Sequence, residues 1–363
     1  MNKDPKISHL HLRGLIVSTV IGVGVLSLPN ALAASMGTDG WIAILLSGLL
    51  VIPVVLMYIQ IFKLHPGKDI FEIGRETVGL IVFNIFMLIF FSYLLVSLAL
   101  VSRSLGELIK IFLLQSTPLE VIILTFILTA SYIATCEIDV IARFGYFVYP
   151  IILVFAGLIV LMAIPGADFT KMLPVFRVGL KDTMKGVMDS SFSFMGIEFA
   201  LFAIPFVENK DKITKSSLLG IATIVIIYMA MFVMTLTHFS INQIKSITYP
   251  VLMLIRQLNL PGFFLENLDG LVMALWVIIV FATVAPAYFA SGKILSKLFK
   301  TKSHKYFIFG LIPIIYFMAM IPDNFIQLID QMGRIHKILG VITVIIIPLI
   351  ILTVDFIRRK VKS

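Results

Sequence analysis

The sequence predicts an all-α, polytopic membrane protein: ten transmembrane helices in two sets of five, the second set inverted, with spans 1 and 6 broken. Three observations carry this. The 363 residues are 60% hydrophobic and 13% charged, and the apolar residues fall in repeated runs near the ~20 residues that cross a bilayer. Lys and Arg gather in alternate short links between those runs. The first and sixth runs, which open the two halves, are each interrupted by residues of poor helix propensity. The net charge of +9 follows from topology and does not imply nucleic acid. Cys136 is the only cysteine, which excludes an intramolecular disulfide or a cysteine-based metal cluster.

In chain order, residues 1–10 are polar and charged with no cleavage pattern, so the first span is expected to be retained. Spans are expected at 12–35, 41–62, 80–101, 119–136, 141–164, 185–206, 217–239, 268–291, 306–321 and 336–357. They form a single membrane domain over 1–363, with repeat one at 11–164 and repeat two at 184–357. The longer links, 63–79, 165–183, 240–266 and 322–335, have no room for a soluble domain. Ser246–Asn259, interrupted by Pro250 and followed by Pro261, is expected to lie on the membrane surface as a short helix. With the N-terminus inside, cytoplasmic segments hold 19 of the 29 Lys and Arg residues. That distribution puts both termini in the cytoplasm.

The first span carries Ile21-Gly22-Val23-Gly24-Val25-Leu26-Ser27-Leu28-Pro29, and the sixth carries Ser190-Ser191-Phe192-Ser193-Phe194-Met195-Gly196. Each Gly costs a helix about 1 kcal/mol against Ala. Backbone freed from a helix at membrane depth needs a partner, either protein or a polar cavity. Two readings stand for Gly22 and Gly24 alone: a tight helix contact, or a break lining a ligand site. Their pairing with Gly196, 174 positions on and at the matching place in an inverted half, favours the site. There, Gly22, Val23, Gly24 and Val25 would offer N–H groups suited to a carboxylate. Phe192 to Gly196, Ser193 among them, would offer carbonyl and N–H groups from the other half. Glu198 is the acid nearest the centre of an apolar run, whereas Asp189 and Asp269 lie closer to ends. A carboxylate there either serves function, sensing a ligand amine or taking up a proton, or accepts bonds from nearby structure.

The stretches Gly22-Val23-Gly24 with Leu28-Pro29, and Phe192 to Glu198, resemble the amino acid–polyamine–organocation transporter superfamily. Adding Gly40-Trp41-Ile42, Thr117-Pro118-Leu119-Glu120-Val121-Ile122 and Leu173-Pro174-Val175 with Gly179, the chain is similar to B subunits of spore germination nutrient receptors. The resemblance implies a LeuT-like inverted repeat with a nutrient site between spans 1, 3, 6 and 8. It implies residence in the inner membrane of a bacterial spore, beside a larger membrane A subunit and a lipoprotein C subunit. It also implies that Phe192 gates the ligand; Phe192 or Met195 would close one side of the pocket, although such side chains also serve simply as packing. By that fold, Tyr93 and Ser97, four apart on one face of span 3, and Thr283 in span 8 line the pocket. Each could equally bond a neighbouring carbonyl and do nothing else.

His9, His11, His65, His238, His304 and His336 all fall near expected span ends, so no metal site is expected. Gly22-x-Gly24 lacks a third glycine, no phosphate-binding loop occurs, and no cofactor is expected. Missing paired acids and a Ser/His/acid set argue against an intramembrane enzyme. The expected function is a receptor subunit that binds a small nutrient, a neutral amino acid above all, and signals germination. The alternative is an amino acid transporter or permease; a passive channel is a third possibility. Phe281-Ala282-Thr283-Val284-Ala285-Pro286 holds one hydroxyl, and Phe144–Pro165 no ionisable group except tyrosines. Both departures weigh against ion-coupled transport. The Lys293–Lys305 loop suits lipid headgroups as well as topology.

Overall fold

The computed structural model describes residues 6–258, 268–322, 327 and 333–362. Its first helix, α1 (His9–Val20), starts at a reciprocal cap in which Ser8 accepts from the His11 N–H and His11 answers to the Ser8 N–H. From Gly14 to Val20 every residue of α1 is buried. A helix apolar all round belongs in the interior, and α1 is the central rod, packed on α7 (Ile138–Ala163), α10 (Ile213–His238) and α13 (Leu268–Leu298). Two glycines let it approach α7. A Cβ on Gly14 would sit 2.4 Å from the Tyr146 Cα, and one on Gly145 would sit 2.7 Å from the Ser18 hydroxyl.

After the break at 21–23 the chain resumes as α2 (Gly24–Met36), turns at Gly37 and returns as α3 (Gly40–Leu64). Asp39, buried at this turn, accepts from the N–H groups of Phe176, Arg177 and Val178 at 2.7, 2.8 and 3.2 Å. The link between the halves is thereby fastened to the turn of the first. A short amphipathic helix, α4 (Ile70–Val78), occupies the 63–79 link; its Asp69/Glu72 capping box was legible in the sequence and passed over there. Then come α5 (Leu80–Phe112), α6 (Leu119–Ala134) and α7.

The sixth span is α8 (Leu180–Phe192) and, after a turn, Ile197–Phe206 around the single helical turn α9 (Ala200–Ala203). The two pieces are bent by 50°. Next are α10, α11 (Ile241–Ser246), α12 (Pro250–Gln257), α13 and α14 (Lys305–Met320). Pro250 does not interrupt a surface helix as expected. It opens α12, since a first-turn proline loses no helix bond, and α12 buries Val251, Leu252, Leu254 and Ile255 against α2, α10 and α13. Asn259 and Pro261 lie outside the described residues.

The last span runs as α15 (Gly333–Val341), a π-turn at Ile342–Ile346, and α16 (Ile347–Lys362). Pro348 has no N–H for the carbonyl of Val344, four residues back. The Tyr58 hydroxyl donates to that carbonyl instead, at 2.6 Å.

Among the described residues six stretches qualify by length and apolarity to cross a membrane, and the bent pair makes a seventh. The expected fourth and ninth spans are α6 and α14, apolar but only 16 residues long, and the expected first is divided between α1 and α2. Outward faces are apolar, as lipid requires: Leu49 is 62% exposed, Val154 62% and Leu161 67%. The chain is a multi-pass membrane protein.

Tyr58→Phe leaves the part-buried Val344 carbonyl without its side-chain donor, and should cost about 1–3 kcal/mol. A lower melting temperature of the purified protein checks this, with Tyr132→Phe, whose ring is 75% exposed, expected to melt like the native chain.

Candidate functional site

The two breaks meet. Gly196 adopts φ +112°, a conformation that favours glycine, and a Cβ there would lie 2.5 Å from the Thr19 carbonyl oxygen. The turn of span 6 thus rests directly on the last turn of α1. The carbonyls that α1 leaves open at its end find side-chain donors. The Thr283 hydroxyl of α13 donates to Ser18 O at 2.9 Å, with Ile21 O at 3.4 Å. The Tyr228 hydroxyl of α10 reaches Val20 O at 3.1 Å and Ser193 O at 2.7 Å, so one hydroxyl spans both breaks. At the end of α1 the Gly22 N–H turns back to Val20 O. The N–H groups of Val23, Gly24 and Val25 head the first turn of α2, where a helix supplies no acceptor. Val23 and Val25 are buried, Gly24 is exposed, and a Cβ on Gly24 would meet nothing within 4 Å.

On the other side of the span 6 turn lies Glu198, 1% exposed. Its Oε2 accepts from the Gly196 N–H at 2.8 Å and its Oε1 from the Tyr93 hydroxyl at 2.8 Å. The carboxyl group therefore closes the turn and ties it to α5. Among the described residues no Lys, Arg or His nitrogen is within ion-pair distance of it. Burial without a cation is costly unless hydrogen bonds replace water, and two are in place here.

Span 10 completes this side with a residue the sequence reading set aside. His336 falls one turn inside the last span and not at its edge, because α15 begins at Gly333. Its ring stacks on Tyr93, centroids 5.0 Å apart, and its Nε2 is 2.7 Å from the Ser97 hydroxyl. Ser97 has one hydroxyl hydrogen, given to Tyr93 O at 2.9 Å. Nε2 is then the donor to Ser97, and in a neutral ring Nδ1 is the acceptor. The signal available in the sequence was a histidine four residues before Gly340. A Cβ on Gly340 would strike Met195 Cε at 2.1 Å and lies 3.4 Å from the Tyr93 ring. Met195 is thus seated on the smooth patch of α15. Phe192, at the end of α8, carries the Lys337 ammonium 4.6 Å over its ring, and Lys337 also reaches Asp189 at 3.3 Å.

Eight of the twelve expected site residues accordingly gather in two groups. Tyr93, Ser97, Met195, Gly196 and Glu198 gather with His336 on one side of the span 6 turn. Gly22, Ser193 and Thr283 gather with Tyr228 on the other, at the end of α1. Phe192 stands beyond them toward the α8–α15 contact, while Val23, Gly24 and Val25 begin α2. Cavities of about 10 and 40 Å³ lie elsewhere, the first lined by Ile70, Met87, Phe90 and Ile351 among others, the second at the ends of α3 and α9. Small-ligand pockets are ordinarily ~300–1,000 Å³; beside the span 6 turn, Met195 packs on Gly340 next to the Tyr93 ring.

Thr283→Val should leave the Ser18 carbonyl without its side-chain donor, and Tyr93→Phe should strip Glu198 of one of its two. Each is expected to cost about 1–3 kcal/mol of stability. Ser92→Ala, at an exposed hydroxyl, should stay within ~0.5 kcal/mol of native. Melting curves of the three variants check this; a Thr283→Val protein as stable as the Ser92 control would detach Thr283 from the break.

Residues 6–328 match the family model described as "Spore germination protein". The chain is 27% identical over 320 residues to spore germination protein YndE of Bacillus subtilis (strain 168), covering 88% of each chain. It is 25% identical to spore germination protein B2 of the same organism, covering 99% of this chain and 97% of that one. It is also 25% identical to spore germination protein GerLB of Bacillus cereus, covering 98% and 96%. Among solved structures it resembles a substrate-bound, outward-open Na+-coupled sialic acid symporter, with a TM-score of 0.66 at 15% identity, covering 93% of this chain and 77% of that one. It also resembles Mhp1, a nucleobase-cation-symport-1 family transporter, with a TM-score of 0.64 at 14% identity, covering 94% and 78%. These structures establish the LeuT fold, with spans 1 and 6 broken as the sequence predicts.

Proposed function

Because the chain belongs to the spore germination protein family, we propose that it is the integral membrane B subunit of a spore germinant receptor, binding a small nutrient between its two helix breaks. The observation that carries this reading is the Glu198 carboxyl group, buried at the span 6 break and held by the Gly196 N–H and the Tyr93 hydroxyl. A buried acid on a broken helix, next to a histidine that spans 3 and 10 position together, is a means of sensing a ligand's polar groups in apolar surroundings. The free N–H groups at the start of α2 suit a carboxylate. The side chains around them, Val23, Met195 and Thr283, suit a small neutral amino acid such as Ala, Val, Leu or Pro.

Entry of such a ligand displaces Met195 from Gly340 and loosens the stacked Tyr93–His336 pair, so occupancy reports on the position of span 10 as well as span 6. To signal, the ligand must bind one arrangement better than the other; inverting a 1:99 balance takes about 5.5 kcal/mol of difference. The receptor sits in the inner membrane of the spore, both termini cytoplasmic, beside A and C subunits that pass the change on.

Thermal-shift measurements on the purified chain test the reading. Small neutral amino acids should raise the melting temperature, by up to the equivalent of ~2.7 kcal/mol at a hundredfold excess over Kd. Charged amino acids should not, and Glu198→Gln should abolish the shift. A response confined to charged amino acids, or one unchanged in Glu198→Gln, counts against it.

A second reading, an amino acid transporter, is favoured by one observation: the fold is shared with structures described as a Na+-coupled symporter and a cation-symport family transporter. Against coupling stands Thr283, the one hydroxyl of 281–286, whose hydrogen goes to Ser18 O. Uptake of labelled neutral amino acids into proteoliposomes, with and without a Na+ gradient, separates the two. The receptor reading expects no Na+-dependent accumulation; concentrative uptake would establish the transporter.

A further inference from the structure

Farther along the same piece of span 6 that carries Glu198, the ends of α3 and α9 and the start of α10 enclose the cleft of about 40 Å³. Its lining has two kinds of residue. Ile59, Phe62, Ile204, Pro205 and Ile213 make an apolar floor, and Lys63, His65, Lys68 and Lys210 stand around it; among the described residues no carboxylate lines it. Lys68 is neutralised by Glu76. His65 faces Asp355 at 3.3 Å and Arg359 at 3.2 Å. Lys63 and Lys210 are exposed, and among the described residues neither has a carboxylate within ion-pair distance. The nearest acids along the chain on the Lys210 side are Glu208, which faces Lys6 at 3.8 Å, and Asp211.

Topology accounts for lysines on this side of the membrane, but not for two uncompensated ones beside an apolar recess. The positive-inside rule asks only for charge in the loop. A recess with an oily floor and a cationic rim at headgroup depth matches a molecule that is itself anionic at one end and apolar at the other. We propose that this cleft binds the headgroup of an anionic phospholipid of the cytoplasmic leaflet, its phosphate between Lys63 and Lys210 and its glycerol and upper acyl carbons on Ile59, Phe62 and Ile213. The occupant bridges the end of α3 to the end of the broken span 6, the 3-10 turn Ile204–Phe206 that holds Pro205. It braces the inner piece of span 6 against span 2. The N-terminal segment makes a protein counterpart of this brace: Ile7 pairs with Phe206 and Glu208 through backbone hydrogen bonds of 3.0 and 3.1 Å. Bilayer composition then adjusts the same moving piece that carries Glu198, whichever nutrient binds.

The test uses the full chain in neutral detergent, titrated with short-chain phosphatidylglycerol, short-chain phosphatidylcholine or inorganic phosphate, with the melting temperature as readout. Phosphatidylglycerol should raise it by several degrees, phosphatidylcholine and phosphate by less than one. The double variant Lys63→Gln/Lys210→Gln should lose that rise. Lys300→Gln/Lys302→Gln, equal in charge change but in the α13–α14 loop, should keep it. An equal rise with phosphate alone would make the site one for free anions and overturn the lipid assignment. A rise that survives in the Lys63/Lys210 variant, or vanishes equally in the Lys300/Lys302 variant, would overturn the cleft itself.

Discussion

A helix broken inside a membrane must find partners for the backbone groups it releases, and here those partners come from three other spans. Water cannot supply them at that depth, and each group left unpaired costs several kcal/mol. The end of α1 is closed by a threonine from α13 and a tyrosine from α10; the turn of span 6 is closed by its own Glu198, which α5 holds through Tyr93. The arrangement of spans around the centre follows from where those hydroxyls must be. So does the choice of Gly196, since any side chain would press on the Thr19 carbonyl.

The same bonds make the centre able to change. Tyr228 touches carbonyls from both breaks, so a shift of either piece must be answered by the other. Glu198, Tyr93, Ser97 and His336 form a chain of contacts from span 6 through span 3 to span 10. Packed chains of this kind have a few discrete arrangements and no continuous range of them. A ligand that replaces one bond in the chain therefore selects among positions of whole helices. The Asp189–Lys337 pair joins α8 to α15 beside Phe192.

Much of this was legible in one dimension, and the rest was hidden for identifiable reasons. Gly22 and Gly196 announce breaks because glycine is a poor helix former in any context, and Glu198 stands out because acids are rare in apolar runs. The pairing of the breaks at one site was read from their matching places; that Gly196 rests on the Thr19 carbonyl could not be, since nothing local to Gly196 mentions Thr19. His336 was set aside on a span boundary three residues too late, an error that turned a residue one turn inside the helix into an end residue. Tyr228 and Tyr58 carry no pattern at all; their value comes from the carbonyls they face, one freed by a break and the other by Pro348. The α4 helix was overlooked because its capping box lies in a link read only for charge. The expected spans 119–136 and 306–321 appear as α6 and α14, which at 16 residues are shorter than a usual crossing.

Hydrogen–deuterium exchange of the full chain, with and without a neutral amino acid, tests the central claim most directly. If the ligand sits between the breaks, exchange slows together in peptides covering 21–26 and 193–198, and changes in the same samples around 336–340. Protection at only one of the two breaks, or at neither while the ligand demonstrably binds, would contradict a shared site and return both breaks to a purely structural role.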